Sequence, residues 1–180
     1  YYTSLYPGDT TLLITANDLG IQLNKASGMS FISQPMPGSP PNNGILLIAD
    51  TNIVYTNLQS CDISGNGADL LTFTAAYPDG VNYGVYQYLE QLGFRFYLPG
   101  DLWEVIPNLS TPFINTNQQV QPLRSLREPA LSGGYGPFPT DPDISNYNDW
   151  YTWIYRNNIR SEYAITGHNQ WDSTLIIPMS

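Results

Sequence analysis

The chain has 180 residues and a formal net charge of −9, and only 12% of its residues are charged. That length is enough for one domain with a hydrophobic core, or for one small domain and part of another. The few cations form no cluster, which argues against binding to a nucleic-acid backbone or an anionic membrane surface. No apolar run approaches the roughly 18 residues of a membrane span. Lys25 is the single lysine, and such a polar, nearly uncharged composition favours an extracytoplasmic location.

Cys61 and His168 are the only cysteine and the only histidine. One cysteine cannot form an internal disulfide, and one of each residue is too few for a zinc site. No motif typical of a nucleophile surrounds Cys61, so we expect a small buried or half-buried thiol. No feature of the sequence requires a metal or an organic cofactor.

The first segments of the chain predict a helix and a loop. Residues 9–28 carry Leu or Ala at the spacing of one helical face. Asp9 or Thr10 can cap the start of this helix, and Gly28 stands where the helix should stop. The Pro/Gly-rich stretch 34–44 predicts a loop.

Two strands and a second helix follow. The continuous apolar run 45–50 predicts a strand covered on both faces, and the β-branched and aromatic residues of 70–78 predict another strand. Between them, residues 51–69 are polar with scattered glycines and predict a loop or irregular structure. A second helical stripe stops at Gly93 and is formed by Val81, Val85, Leu89 and Leu92.

The remaining segments complete the prediction of an α+β fold. Residues 94–98 predict a strand whose apolar face is formed by Phe94, Phe96 and Leu98. The polar stretch 108–122 predicts an edge strand or a linker. We expect residues 1–122 to form a mixed sheet with helices packed on one face. Residues 123–180 are then the start of a second unit, with a third helix over 144–159.

Asp101 and Glu104 flank Trp103 in the loop after the strand 94–98. Glycosidases use two carboxyl groups that face each other across the scissile sugar bond. Such acids usually have separate supports that hold one of them protonated, whereas these two share one short loop. The three residues are a candidate ligand site. The alternative is that Asp101 caps a turn and Trp103 packs beneath it.

A second candidate site is the stretch GHNQW, residues 167–171. His168 and Asn169 can form hydrogen bonds with sugar hydroxyls, and the face of Trp171 can stack on a sugar ring. The alternative is a loop whose histidine and tryptophan pack locally.

The stretch DGVNYGVYQYLEQLGFRFYLPGDLWEVIP, residues 79–107, resembles a pattern in the N-terminal accessory domain of certain large bacterial glycoside hydrolases. These include the α-glucuronidases, the family 20 β-hexosaminidases and related uncharacterised proteins that contain a barrel. The pattern is a glycine, a Tyr-Gly/Ala-Val-Tyr helix, a Leu-Gly turn, an aromatic strand and Pro-Gly-Asp/Glu. The upstream segments 16–28 and 44–50 also resemble that domain.

The resemblance implies a small α+β domain, similar to the second domain of hexosaminidases, followed by a (β/α)-barrel that carries the catalytic acids. Residues 126–136 and 149–171 resemble the start of such a barrel. A complete barrel needs about 200 residues or more, so the catalytic carboxylates of the family have no positions here. In that family the first loops of the barrel tend to line the ligand site. The resemblance therefore implies only that Arg127, His168 and Trp171 line a ligand site.

Three functions are therefore open. The first, favoured by the resemblance, is the accessory N-terminal portion of a glycoside hydrolase-like protein, inactive as this isolated chain. The second is a module that binds a poly- or oligosaccharide without cleaving it, through Trp103, Trp150, Trp153 or Trp171. The third is an extracellular structural or filament subunit that self-associates through residues 124–180.

Overall fold

The structure is a computed structural model that describes residues 1–4, 6, 8–55, 57–123, 149, 152–159, 163–165 and 176–178. Residues 152–156 are helical. The other elements in these ranges are β1 (Tyr2–Ser4), α1 (Thr11–Ser27), β2 (Gly44–Ala49), β3 (Cys61–Asn66), β4 (Leu70–Ala75), α2 (Pro78–Gln91), β5 (Arg95–Phe96), a 3₁₀ turn (Asp101–Trp103), β6 (Glu104–Val105), β7 (Asn115–Val120), β8 (Tyr163–Ile165) and β9 (Ile176–Pro178).

Five strands form one mixed sheet in the order β1-β2-β4-β3-β7. Strands β1, β2 and β4 run parallel, and β3 is antiparallel to both of its neighbours, β4 and β7. Strands β5 and β6 form a separate antiparallel pair, as do β8 and β9. The predicted α+β class with a mixed sheet is confirmed, whereas the predicted division at residue 122 stays a prediction.

The two helices pack on one face of the sheet, which is buried across β2, β4 and β3. Leu47, Phe73 and Ile63 are aligned across these three strands on that face, and all three are buried with the apolar sides of α1 and α2. On the opposite face Leu46 of β2 is also buried, as predicted for this strand, whereas the alternate residues of β3, among them Asp62, are exposed there. The core therefore lies between one face of the sheet and the helices, as the helical stripes predict.

The ends of α1 follow from its sequence. Asp9 Oδ1 accepts a hydrogen bond of 2.6 Å from the backbone N–H of Thr11, which satisfies one of the free donors of the first turn. Gly28 has φ 68° and donates its N–H to the carbonyl of Asn24. A left-handed residue is favoured at a helix end when it is glycine, so both predicted boundaries of α1 are confirmed.

The prediction of a loop over residues 51–69 is wrong, because β3 lies inside that range. β3 contains a single β-branched residue, Ile63, and alternates with small and polar residues, so its own sequence signal is weak. Its pairing with β4 on one side and β7 on the other supplies the stability instead. The short β1 was not predicted either, and it adds to the sheet through parallel pairing with β2.

Two other predicted strands end differently from the prediction. The strand predicted over 70–78 stops at Ala75, because Pro78 opens α2. The strand predicted over 94–98 is reduced to β5, and Leu98 is exposed rather than on a buried face. For residues 108–122, the edge-strand alternative is correct, since β7 pairs only with β3 among the described strands.

Two glycines allow α2 to lie close to the sheet. A Cβ added at Gly80 would stand 2.7 Å from the carbonyl oxygen of Ser60 and 2.9 Å from the Cβ of Ala75. A Cβ added at Gly84 would overlap the sulfur of Cys61 on β3. The Tyr-Gly-Val-Tyr motif of α2 is thus explained by packing. No described helix is long and apolar enough to cross a bilayer.

We expect the Gly84→Ala substitution to lower the free energy of unfolding by about 1–3 kcal/mol, because the added methyl group overpacks the core against Cys61. Urea denaturation measures the effect. Gly38→Ala is the matched control, since a Cβ at Gly38 meets nothing within 4 Å. A Cys61→Ala substitution should recover part of the loss in Gly84→Ala. Equal stabilities of the Gly84→Ala and Gly38→Ala variants would show that the close approach is not tight.

Candidate functional site

The most concentrated group of charged side chains in the described ranges surrounds Arg156, where residues 152–159 contact α1 and the β5–β6 pair. The guanidinium of Arg156 donates from Nε to Asp18 Oδ2 at 2.9 Å and from Nη2 to Asp18 Oδ1 at 2.7 Å. Two parallel bonds from one guanidinium to one carboxylate combine charge with a fixed relative orientation. Arg156 is thereby attached to α1.

The third nitrogen of the same guanidinium reaches a second carboxylate. Arg156 Nη1 donates to Glu104 Oε1, and Lys25 Nζ donates to Glu104 Oε2 at 3.3 Å. Glu104 is the first residue of β6, so Arg156 joins α1 to the β5–β6 hairpin. We call Asp18, Glu104 and Arg156 the arginine clamp.

The arginine clamp is largely removed from solvent. The side chains of Arg156, Asp18 and Glu104 are 11, 14 and 5% exposed. The guanidinium also lies over the ring of Phe96, with 4.8 Å between its carbon and the ring centroid. Burial alone would lower the pKa of Arg156. The hydrogen bonds and negative charges of Asp18 and then Glu104 outweigh it and raise that pKa.

Tyr86 on α2 extends the arginine clamp into the core. Its hydroxyl donates to Asp18 Oδ2 at 2.7 Å, so this carboxylate binds both a phenol and a guanidinium. Burial, together with the nearby charge of Asp18, raises the pKa of Tyr86 well above its ordinary value. The phenol is therefore held as a hydrogen-bond donor.

A second set of polar contacts fixes the rest of residues 152–159. Trp153 Nε1 and Asn157 Nδ2 both donate to the carbonyl of Phe96, at 3.0 and 2.9 Å. Asn158 has φ 52° and ends the helical turn, a conformation that asparagine tolerates better than most residues. Asn82 Nδ2 lies 3.5 Å from Asn158 Oδ1. These contacts place residues 152–159 on α1, α2 and β5 together.

The two carboxylates of the predicted pair, Asp101 and Glu104, lie in different environments. Both oxygens of Glu104 accept hydrogen bonds from cations, as described above, so this carboxylate has a partner on each side. The Asp101 side chain is 90% exposed, and its nearest cation is Lys25 Nζ at 3.9 Å. Trp103 is half-exposed, and Asp101 is the first residue of the 3₁₀ turn that Trp103 ends. The structure thus brings both acids to Lys25, but with Glu104 bound into an ion pair.

The other predicted ligand residues lie outside the described residues: Arg127, His168, Asn169 and Trp171. Cys61 is fully buried, which agrees with the expectation of a buried or half-buried thiol, and burial raises the pKa of this thiol. Within the described part of the chain, no group of three or more His, Cys, Asp or Glu side chains could hold a metal ion.

Sequence reasoning did not single out Asp18 or Arg156. Asp18 looks like an ordinary polar residue on the outer side of a helix, and Arg156 lies 138 residues further along the chain. One signal was available, because Arg156 is one of only six Lys and Arg residues in the chain. A cation in so acidic and cation-poor a chain is a candidate for a specific ion pair.

No protein-family model matches the chain, and no curated protein matches it. The function has therefore to be argued from the geometry, which is that of a polar junction between residues 152–159 and the elements α1, α2, β5 and β6.

The tyrosines predict an alkaline loss of stability. Burial raises the pKa of Tyr86 far above 10 and that of Tyr88 to about 12. An unfolded tyrosine releases its proton near pH 10 whereas these folded ones keep theirs. Their stabilising contribution is thus complete below pH 10 and is lost above it, at up to about 1.4 kcal/mol per pH unit for each residue.

Urea denaturation between pH 8 and 11 measures how steeply the free energy of unfolding falls with pH. Tyr86→Phe should be less stable at pH 8 but lose less on going to pH 11, and an unchanged slope would contradict the role of Tyr86.

Proposed function

We propose that the chain is the accessory, N-terminal portion of a carbohydrate-active, glycoside hydrolase-like protein. In this proposal the α+β domain supports and orients the unit that follows it and carries out no chemistry. The arginine clamp is the single observation that best favours this accessory role. A buried guanidinium from residues 152–159 is held at once by Asp18 on α1 and by Glu104 on the β5–β6 hairpin.

The geometry of the arginine clamp suits orientation better than catalysis. A bidentate pair and a second carboxylate leave a guanidinium little freedom to rotate. The carbonyl of Phe96 and the buried Asn82 fix the same segment at two further points. A segment held at several points on three elements keeps one orientation relative to the domain, which is what a supporting domain requires.

The carboxylates also favour a non-catalytic role for the described part of the chain. A glycosidase needs one acid that gives up a proton and one that acts as a base or nucleophile, on opposite sides of the sugar bond. Glu104 is occupied by two cations, and Asp101 is exposed to solvent in the same turn. Asp101 and Glu104 are the carboxylates that the sequence analysis considered as a glycosidase pair.

The finer parts of the proposal rest on the resemblance of residues 79–107 to accessory domains of glycoside hydrolases. They are a domain similar to the second domain of hexosaminidases, and a barrel that begins within residues 123–180. The order of α1, β2, β4 and α2 is compatible with that resemblance. An extracytoplasmic location is proposed on the composition, because the polar surface is provided mainly by uncharged residues.

A second candidate function is glycan binding without cleavage. Tyr97 and Trp103 are both more than half exposed, and the backbone N–H of Tyr97 donates to the carbonyl of Trp103. Two exposed aromatic residues on one hairpin are a possible stacking surface for a sugar. In contrast, Trp153 donates its indole N–H to Phe96 and serves the junction instead.

We expect the isolated chain to show no turnover of aryl glycosides or aryl glucuronides, because no acid pair of a glycosidase is assembled in the part of the chain that the structure describes. Chromogenic release under excess enzyme tests this. The Asp101→Asn variant, altered at an exposed side chain, is the control for contaminating activity. If the chain turns over these substrates and the Asp101→Asn variant does not, the β5–β6 hairpin has a catalytic role and the proposal is refuted. A titration with oligosaccharides, followed by tryptophan fluorescence, examines glycan binding separately.

A further inference from the structure

A cavity of about 390 Å³ lies between the C-terminal turn of α1, the 3₁₀ turn and the segment that follows β6. Its volume falls within the range of about 300–1,000 Å³ that is usual for small-ligand sites. The cavity shares Glu104 with the arginine clamp, and its other polar lining residues are Lys25, Asp101 and Asn108. We call it the Lys25 cavity.

The walls of the Lys25 cavity are fixed by two contacts with the end of α1. The backbone N–H of Leu109 donates to the carbonyl of Ala26 at 2.9 Å, which attaches the segment after β6 to the helix. Lys25 Nζ donates to Glu104 Oε2 at 3.3 Å, which attaches the helix to the start of β6. A site whose walls are already held in place loses little conformational freedom when a ligand binds.

The polar groups of the Lys25 cavity have hydrogen-bonding capacity to spare. An ammonium group has three N–H donors, and the bond from Lys25 to Glu104 uses one of them. The carboxylate of Asp101 is 3.9 Å from Lys25 Nζ, and this side chain is 90% exposed. The Asn108 side chain is exposed and forms no hydrogen bond with another described residue. Donors and acceptors are thus available to a ligand from three sides.

The remaining lining of the Lys25 cavity is apolar. It is formed by Ala26, which is buried, and by Ile106 and Pro107, which are half-buried. A pyranose ring has hydroxyl groups around its rim and C–H groups on its faces. An apolar wall with a few polar groups beside it can contact both kinds of surface.

The charges of the Lys25 cavity favour a neutral ligand. Glu104 is already bound by Arg156, which leaves Lys25 and Asp101 as an oppositely charged pair in the lining. An anionic sugar would meet Asp101 in a chain whose net charge is −9, and a cationic ligand would meet Lys25. A neutral hydroxyl group can accept from the ammonium and donate to the carboxylate, so it suits both.

We propose that the Lys25 cavity binds one pyranose unit of a neutral oligosaccharide. Lys25, Asp101 and Asn108 bind its hydroxyl groups, and Ile106 and Pro107 contact a face of its ring. The inference rests on the proposed carbohydrate-active function, and it gives the glycan-binding candidate a defined site and a ligand class.

Calorimetric titration of the 180-residue chain tests the site with three neutral hexasaccharides, namely cellohexaose, xylohexaose and chitohexaose. A hexamer of galacturonic acid is the anionic comparison. The Asp101→Ala and Asn108→Ala variants each remove a hydrogen-bonding group from the cavity at an exposed position, so the fold should be kept. Asn43→Ala is the matched control, because Asn43 is an exposed asparagine in the loop before β2.

We expect at least one neutral hexasaccharide to bind. Its dissociation constant should rise about tenfold or more in Asp101→Ala and about threefold or more in Asn108→Ala, because hydrogen bonds to a charged group are the stronger ones. The Asn43→Ala variant should bind as the unchanged chain does. Because the ligand is neutral, the dissociation constant should change by less than about twofold between low and high salt.

Three results would overturn the inference. The first is that none of the neutral hexasaccharides binds. The second is binding that neither cavity variant weakens, which assigns the sugar to another surface and leaves the glycan-binding function standing. The third is a preference for the galacturonate hexamer that high salt abolishes. None of these results bears on the turnover assay, so the proposed accessory function is judged separately.

Discussion

The ion pair between Arg156 and Asp18 is the interaction on which the junction depends. A guanidinium that is 11% exposed has lost most of its water, and a lone buried cation would be strongly unfavourable. Asp18 and Glu104 together replace that solvation, and the ring of Phe96 covers one face of the guanidinium. Removing one partner of such a buried pair typically costs about 3–5 kcal/mol, because the other charge is left uncompensated.

The arginine clamp is only as rigid as the domain beneath it. Glu104 is placed by the short β5–β6 pair, whose Phe96 stacks near Phe94 with 6.4 Å between ring centroids. These rings are buried with α2, which in turn approaches the sheet through Gly80 and Gly84. The packing of α2 on the sheet thus positions the hairpin, and the hairpin positions one of the two carboxylates. Overpacking at Gly84 should therefore weaken the contacts of the arginine clamp as well as the packing of the core.

Hydrophobic periodicity predicted the elements whose own residues show a clear helical or apolar pattern. The helical stripes gave α1 and α2, and the continuous apolar run gave β2. Strand β3 could not be predicted in this way, because a strand with one β-branched residue obtains its stability from the neighbours that pair with it. The edge position of β7 was one of two alternatives, and only the pairing with β3 decides between them.

The candidate site was harder to predict than the fold. Glu104 was noticed as a possible catalytic acid, whereas the structure gives it two cationic partners and a structural role. Asp18 and Arg156 are adjacent only in three dimensions, 138 residues apart along the chain. No local spacing can reveal such a contact. What the sequence did offer was a scarcity of cations, which makes each arginine of this acidic chain a candidate for a specific partner.

A double-mutant cycle between Asp18→Asn and Arg156→Met tests most directly whether this ion pair holds the junction together. The free energy of unfolding of the four proteins gives the coupling between the two side chains without the separate effects of each substitution. We expect a coupling of about 2 kcal/mol or more, against less than about 1 kcal/mol for the exposed pair of Lys25 and Asp101. A coupling between Asp18 and Arg156 no larger than that of the exposed pair would contradict it.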